Sequence, residues 1–301
     1  MIFLNALLYY LVIIPISLAP FPILYVLSDL LYLILYRGLG FRTKVVRQNL
    51  LNAFPTKTEA EIKIIEKQFY RHLCDVIVEA LKSFTISNKQ IVKRMQVVNP
   101  ELINKFFDEG RSVLLAGGHY NNWEWTATGL QQQIKHRAIA IYTPLSNPFF
   151  ERKMQSTRGK FGLKMISVKR IKQFYLDHPE QLAATLFAID QSPRNPGKSY
   201  WTTFLNQDTG VQFGIEKIAV ELNNPVLFGS ISKVKRGYYT LHFQVVTETP
   251  TTEPYGKIIE TSTTLLEKQI LDQPQYWLWT HRRWKHKRPA GHVNQPVESP
   301  R

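Results

Sequence analysis

The sequence predicts an α/β fold, with a largely parallel or mixed central sheet flanked by helices and a hydrophobic membrane anchor ahead of it. Two observations predict this fold. From residue 112 onward, short apolar segments rich in β-branched residues alternate with segments of helical spacing, as in βαβ units. Ahead of them, the first 36 residues contain one ionisable side chain, Asp29. With 301 residues, we predict an anchor over 1–36, a catalytic domain over 37–289 and a flexible polar tail over 290–301.

The anchor can be interpreted in three ways. Its apolar runs are interrupted by Pro15, Pro20 and Pro22, whereas a straight spanning helix needs about 20 uninterrupted apolar residues. A kinked or interface-seated anchor and a clean span both remain open. A buried core helix of a soluble domain is less favoured, because the run is long and has no polar face.

The residues that flank the anchor indicate whether it is cleaved off and on which side of the membrane the following domain lies. No basic segment precedes the apolar run and no small-residue cleavage site follows it, so we expect the anchor to be retained. Positive charges directly after a membrane segment are typical of the cytoplasmic side. Those charges are Arg37, Arg42, Lys44 and Arg47.

Composition narrows the classes of protein and of partner. A hydrophobic fraction of 44% excludes a disordered chain. The single cysteine, Cys74, excludes an intramolecular disulfide and a cysteine-based zinc site, and favours a reducing compartment. A net charge of +15 predicts a partner that carries phosphates or acidic groups: nucleic acid, anionic lipid or an acidic protein.

The secondary structure follows from the spacing of apolar residues. Helical spacing extends over 43–85 with a break at Phe54-Pro55, and Thr58 with Glu61 forms a capping box for the second helix. The predicted strands are 112–116, 138–142, 163–168, 182–189, 225–232 and 238–245, of which the last two form a hairpin. The other predicted helices are 123–134, 148–161, 170–177, 214–222 and 255–271.

His119 is the first candidate catalytic residue. A predicted strand runs into Gly117-Gly118 and then His119, and a helix begins near Trp123. Ligands of open α/β sheets bind beyond the carboxyl ends of the strands. His119 therefore lies where catalytic groups are usually found.

Glu124 is the first candidate partner of that histidine. In one regular helix, residues five apart point about 140° away from each other. With His119 on the preceding loop and Glu124 in the first helical turn, the carboxylate can reach back to the imidazole and leave the other ring nitrogen as a general base. The alternative is structural: Asn121 and Glu124 have the spacing of a capping box, and His119 is then a hydrogen-bonded loop residue.

The stretch GGHYNNWEW resembles a known family. A histidine, four intervening residues and an acid are the first signature of the glycerolipid acyltransferase superfamily. This form, with Glu124 in place of the commoner Asp, resembles the lipid A biosynthesis (lauroyl/myristoyl) acyltransferases, in their Bacteroidetes branch. The resemblance covers nearly the whole chain in family order, through PFPILYVLSDLLY, VVRQNLLNAFP, AIDQSPRNP and QYWLWTHRRWKHKRP.

The resemblance implies a reaction and its partners. It implies transfer of a fatty acyl group from an acyl carrier protein thioester to a hydroxyl of a lipid A precursor, at the cytoplasmic face of the cell inner membrane. His119 accepts the hydroxyl proton, and no covalent intermediate, metal or other cofactor is expected. The sequence also lacks the GxSxG and HExxH motifs of other hydrolytic and metal enzymes.

Four further site residues are expected, and for two of them, Asp190 and Arg158, the resemblance gives a counterpart. Asp190 ends an apolar strand at the predicted sheet edge of His119, and its family counterpart lies in the active site; the alternative is a cap of the next turn. Arg158 corresponds to an arginine near the acceptor phosphate or the oxyanion, and Arg194 is placed to bind phosphate. Both are alternatively ordinary surface arginines. Asn122 is assigned to substrate binding, whereas Gln191 matches a polar position with no role.

A basic cluster with interleaved tryptophans lies near the C-terminus. Aromatic and basic residues together can bind nucleic acid, or can lie at a lipid headgroup boundary, and a charge run can also be a solvated face. Beside a hydrophobic N-terminus the lipid interpretation is simpler, and no nucleic-acid partner is expected. The cluster comprises Arg282, Arg283, Lys285, Lys287 and Arg288 with Trp279 and Trp284.

Two other functions remain as alternatives. The first is an acyltransferase of the same superfamily that acts on a lysophospholipid or an aminolipid. The second, favoured by charge alone, is a membrane-tethered nucleic-acid-binding protein.

Overall fold

The computed structural model describes residues 2–295. Five α-helices come first, with π-helical turns at Tyr9–Ile13 and Leu33–Gly38. They are α1 (Ile2–Leu8), α2 (Ile14–Leu18), α3 (Phe21–Tyr32), α4 (Thr43–Ala53) and α5 (Glu59–Lys82). Between α2 and α3, Ala19 and Pro20 both have extended backbone. The apolar N-terminus is therefore two helical pieces joined at a proline, because Pro20 has no N–H with which to continue a helix.

The remaining elements alternate between helix and strand. They are α6 (Asn88–Arg94), β1 (Met95–Val97), α7 (Pro100–Asp108), β2 (Val113–Gly117), α8 (Trp123–Gly129), β3 (Arg137–Tyr142), α9 (Pro148–Gly159), β4 (Lys164–Ser167), α10 (Ile171–Asp177), β5 (Ala183–Ala188), β6 (Tyr200–Phe204), β7 (Gln207–Val211), α11 (Gly214–Leu222), β8 (Val226–Lys235), β9 (Tyr238–Thr247) and α12 (Lys257–Asp272).

Seven strands form the central sheet, in the order β1-β9-β8-β2-β5-β3-β4. Every neighbouring pair is parallel except the β8–β9 hairpin. The predicted α/β fold with a mixed sheet is confirmed, as are the predicted strands and helices, within a few residues at each end. The spacing of apolar residues did not predict α6, α7, β1 or the separate two-stranded sheet of β6 and β7.

The sheet separates two hydrophobic layers. Leu114 and Ala116 of β2 face one layer, which includes α4, α5, α11 and α12, while Val113 and Leu115 face the other, which includes α3, α7 and α8. A strand buried on both faces has no polar side, and this explains the continuous apolar run of the β2 sequence. The carboxyl ends of β2 and β5 are adjacent in the centre of this sheet.

The C-terminal cluster of basic and aromatic residues is not the surface that the sequence suggested. Trp279 is fully buried, and Arg283 is 2% exposed. The Trp284 indole donates to Thr209, and Arg288 forms an ion pair with Asp208. The prediction of tryptophans that stack on bases or lie at a lipid boundary is wrong for this cluster, because its aromatic members pack into the core.

The predicted flexible tail is described over 290–295. There, Asn294 exchanges two hydrogen bonds with the backbone of Trp201, at 2.7 and 2.8 Å. Residues 296–301 of the predicted tail lie outside the described residues.

Candidate active site

His119 follows the end of β2 on a loop that requires glycine. A Cβ atom at Gly118 would lie 2.8 Å from the Leu266 side chain and 3.1 Å from an Asp190 carboxylate oxygen. On its other side the loop is held by residues 276–278, since the Leu278 N–H donates to the His119 carbonyl and the Asn121 N–H donates to the Tyr276 carbonyl. The imidazole is therefore presented from a backbone that is fixed on both sides.

The partner of the His119 imidazole is Asp190. The His119 Nδ1 atom lies 2.7 Å from Asp190 Oδ1, while the His119 backbone N–H donates to Asp190 Oδ2 at 2.7 Å. The indole N–H of Trp277 donates to the same Oδ2 at 2.8 Å. The parallel register of β2 and β5 explains why these two residues are in contact. Gly117 pairs with Ala188, so His119 and Asp190 each lie two residues beyond paired positions.

The charges of the pair stabilise each other. Burial by itself raises the pKa of Asp190, but the charge and hydrogen bonds of His119 and the Trp277 indole outweigh it, and the pKa falls to about 2. Burial lowers the pKa of His119, and the Asp190 charge and hydrogen bond outweigh that effect, so the pKa is raised. Asp190 is therefore ionised at neutral pH and accepts the Nδ1 proton of His119.

The other ring nitrogen of His119 faces the site. Since a carboxylate only accepts hydrogen bonds, Nδ1 carries the proton of the neutral imidazole, and Nε2 is an acceptor. The Gln191 amide nitrogen lies 3.2 Å from Nε2. The Trp123 ring meets the imidazole edge-on, with 5.3 Å between centroids. This arrangement can take a proton from a hydroxyl group that replaces Gln191 at Nε2.

The predicted contact between Glu124 and His119 is wrong. The Glu124 carboxylate is held by the Arg158 guanidinium, with Nε to Oε2 at 2.9 Å and Nη2 to Oε1 at 2.5 Å. Glu124 does not form the alternative capping box either, because Asn122 is the N-cap of α8 and accepts from the Trp125 N–H. The Glu124 side chain points to α9 instead. There its bidentate ion pair with Arg158 is stronger than a single hydrogen bond to the imidazole would be.

An apolar cavity of about 180 Å³ opens at these residues. It lies between the sheet and α8. His119, Glu124 and Arg158 line its polar end, and the remaining lining is almost entirely apolar, including Leu115, Ala127, Leu130, Leu186, Gly229 and Leu241. An apolar cavity with one polar end can hold a hydrocarbon chain whose reactive end lies at His119.

The chain matches a family model. The description of that model is bacterial lipid A biosynthesis acyltransferase, and the match covers residues 2–286. The chain belongs to this family. It is therefore an acyltransferase enzyme, as the resemblance of GGHYNNWEW implied.

Curated relatives cover the chain along most of its length. It is 23% identical over 278 residues to the lipid A biosynthesis palmitoleoyltransferase of Escherichia coli strain K12, covering 90% of this chain and 88% of the relative. It is 23% identical over 279 residues to the lipid A biosynthesis lauroyltransferase of the same strain, with the same coverage. A lipid A biosynthesis acyltransferase of Haemophilus influenzae is 22% identical, covering 81% of this chain and 78% of the relative.

Asn122 of this acyltransferase does not face the cavity. It is fully buried, its oxygen caps α8, and its Nδ2 donates to Glu79 Oε2 at 2.7 Å. Because Asn122 is fully buried and does not line the cavity, its amide cannot contact a substrate there. The prediction of substrate binding by Asn122 is therefore wrong, and its role is to fix the start of the helix that carries Glu124.

Glu79 supports the site through Asn122, and the sequence did not indicate this role. It is fully buried in α5, and it accepts from the hydroxyls of Tyr25 and Tyr239, at 2.9 and 2.8 Å, besides Asn122. Burial raises its pKa to about 7, against the opposing effect of the tyrosine hydrogen bonds. A glutamate in mid-helix gives no sequence signal for such contacts, because its partners lie 43 to 160 residues away.

Arg194 lies apart from the imidazole. In an exposed position it donates to the Thr143 hydroxyl at 3.2 Å, and it does not line the cavity. The acyltransferase site therefore brings together His119, Asp190, Glu124 and Arg158, but not Arg194. Within residues 2–295, no group of three or more His, Cys, Asp or Glu side chains is arranged to hold a metal ion.

Proposed function

We propose that this acyltransferase moves a fatty acyl chain from an acyl carrier protein thioester to a hydroxyl of a lipid A precursor, at the cytoplasmic face of the inner membrane. The observation that carries the proposal is the 2.7 Å contact between His119 Nδ1 and Asp190 Oδ1 at the polar end of an apolar cavity. The family, and the lipid A activities for which the Escherichia coli relatives are named, support the acceptor.

His119 acts as the general base. Its Nε2 accepts the proton as the acceptor oxygen attacks the thioester carbonyl, and Asp190 stabilises the imidazolium that results. The tetrahedral intermediate collapses by breaking the carbon–sulfur bond, and the imidazolium proton goes to the departing thiolate. The alcohol attacks the thioester directly, so no acyl group is attached to the enzyme.

The acyl chain occupies the cavity between α8 and the sheet. Its apolar lining replaces water around the hydrocarbon. The small side chain of Ala127, and the lack of one at Gly229, leave room for the chain. This placement puts the thioester carbonyl at the polar end, beside His119.

Arg158 binds a negative charge of the substrate. Glu124 engages its Nε and Nη2, so Nη1 remains for a phosphate of the glycolipid or for the oxyanion. Glu124 has the complementary role, because its two bonds fix the plane of that guanidinium. The net charge of +15 also favours an acidic carrier protein as acyl donor.

The test is transfer by the purified full chain, with acyl carrier protein thioesters as donors and a lipid A precursor as acceptor. We expect His119→Ala to abolish transfer while circular dichroism and the melting temperature stay unchanged. Near-normal turnover by this variant would reject the mechanism. Lysophospholipid and aminolipid acceptors are assayed in parallel, and acylation of one of these alone would replace the proposed acceptor.

A further inference from the structure

The N-terminal segment, residues 2–38, exposes an apolar face from Leu4 to Ile34. Its side chains recur at helical spacing, and the six that mark the face are 51% to 67% exposed. They are Leu4, Leu11, Leu18, Val26, Leu30 and Ile34. Apolar faces of this extent mark surfaces that are covered by another phase or molecule.

The opposite face of the segment is docked on the body through polar contacts. The Ser17 carbonyl accepts from Lys82 Nζ at 2.9 Å. The Ser28 hydroxyl donates to the Asp75 carboxylate at 2.8 Å, and both Tyr25 and Glu79 are joined in the buried network already described. Such contacts fix the rotation of the segment about its own axis.

The docking follows α5 from end to end. The segment runs antiparallel to α5, so its aromatic rings contact basic residues of α5 in reverse sequence order. Lys82 lies over the Phe21 ring at 5.5 Å and Arg71 over the Tyr32 ring at 5.4 Å. Lys63 lies over the Tyr36 ring at 5.3 Å. Together with Asp75 and Glu79, these put an ionisable group of α5 beside every one or two turns of the segment from Ser17 to Tyr36.

The charges of α5 decide the orientation of the segment. Phe21–Gly38 is long and apolar enough to cross a membrane by composition alone. If it crossed, α5 would follow it, and the charges of Lys63, Arg71 and Asp75 would enter the hydrocarbon, where ionised groups are costly. A segment that lies along the surface keeps these charges on the water side of its axis.

We infer that residues 2–38 are an interfacial anchor, which lies lengthwise in the cytoplasmic leaflet and leaves both of its ends on the cytoplasmic side. The occupant of the apolar face is a lipid leaflet, because the strongly exposed hydrophobic side chains of the segment are aliphatic except for Tyr10. Arg37, Lys44 and Lys153 border the segment with positive charge suited to anionic headgroups. The inference rests on the membrane association in the proposed function, and it adds the geometry.

The same geometry brings the membrane to the catalytic cavity. Tyr9 contacts Phe149 of α9 with 5.7 Å between ring centroids, and the Tyr10 hydroxyl accepts from Lys153 Nζ at 2.9 Å. Arg158, at the polar end of the cavity, lies on the same helix. The helix that contacts the anchor is therefore the same helix that carries Arg158 to the cavity.

Cysteine accessibility tests on which side the chain begins. The only native cysteine, Cys74, is buried, and the wild type gives the background. Asn5→Cys is compared with Lys268→Cys, an exposed position on α12, by labelling with a membrane-impermeant maleimide. We expect both to stay unlabelled in cells whose outer membrane alone is permeabilised, and both to react after lysis. Labelling of Asn5→Cys before lysis overturns the inference, and transfer measured in the same membranes shows whether the proposed function survives.

Vesicle binding tests what covers the face. Purified full chain is sedimented with vesicles of phosphatidylethanolamine and phosphatidylglycerol. We expect the double variant Leu11→Asp/Val26→Asp to lower the bound fraction at least tenfold. The control is Leu271→Asp, at an exposed position of α12, which should leave the bound fraction unchanged. Equal binding by the double variant, or binding that requires an added membrane protein, overturns the lipid leaflet as the occupant. Melting temperatures confirm that the variants are folded.

Discussion

Asp190 lies in the sequence 71 residues after His119, yet its carboxylate accepts hydrogen bonds from both the backbone N–H and the Nδ1–H of that histidine. One residue thereby sets the loop conformation and the tautomer together. The Trp277 indole, which shares Oδ2 with the His119 N–H, leaves Oδ1 for the imidazole alone.

Asp190→Asn should invert this tautomer. The amide oxygen replaces Oδ2, because two N–H donors already point at it, so the amide NH₂ faces Nδ1 and forces the imidazole proton onto Nε2. With no acceptor left for the hydroxyl proton, we expect kcat to fall about 10³- to 10⁴-fold. Steady-state transfer assays measure the loss. Because Asn is nearly isosteric, an unchanged melting temperature is the control, and a loss below tenfold would contradict the role of Asp190.

The fold and the position of His119 could both be predicted from the sequence, because both depend on local patterns. An apolar strand that ends in two glycines predicts where the chain turns at a sheet edge, and this placed His119 correctly. Sequence proximity then favoured Glu124 as its partner. Asp190 was expected at the same sheet edge, but not as the partner of the imidazole. Their contact depends on the parallel pairing of β2 with β5, a long-range property that no local pattern encodes. Glu79 was missed, and Asn122 was given the wrong role, for the same reason: their contact joins residues 43 positions apart.

The pH dependence of transfer reports the environment of His119. Asp190 raises the pKa of the imidazole despite its burial. A base with a raised pKa stays protonated, and inactive, up to a higher pH. We therefore expect the acid limb of the kcat/KM profile to have its midpoint above 6.5, the ordinary value for histidine. A midpoint below 6 would contradict the ion pair.

Glu124 and Arg158 should act as a unit and shift that acid limb in opposite directions. The Glu124 charge raises the pKa of His119 and the Arg158 charge lowers it. Glu124→Gln should therefore move the limb to lower pH and Arg158→Gln to higher pH. Because the two side chains are paired at 2.5 and 2.9 Å, we expect a coupling of about 1–2 kcal/mol in a double-mutant cycle on kcat/KM. Additive losses would mean that the two residues bind substrate independently.

Removal of the Glu79 carboxylate should destabilise the start of α8. Glu79→Leu leaves the Asn122 amide and two tyrosine hydroxyls without an acceptor inside the core, so we expect a loss of about 2–3 kcal/mol in the free energy of unfolding. Glu79→Gln keeps one acceptor oxygen and should lose less. Thermal melts in detergent measure both, with Glu101→Gln, in an exposed position, as the matched control. Equal stability of Glu79→Leu and wild type would show that the network contributes nothing.

The cavity should determine the length of the transferred chain. Ala127 faces the cavity from α8, and a leucine there fills space that the distal part of a hydrocarbon would occupy. We expect Ala127→Leu to shift the preference toward shorter acyl chains by about one decade in relative kcat/KM, since each buried methylene is worth about 0.8 kcal/mol. Competition between acyl carrier protein thioesters of different lengths, with products resolved by mass spectrometry, measures the shift. Ala60→Leu, an exposed helical position on α5, is the control for added bulk. If Ala127→Leu slows all chain lengths equally, the acyl group lies elsewhere, because a blocked hydrocarbon pocket must discriminate between long and short chains.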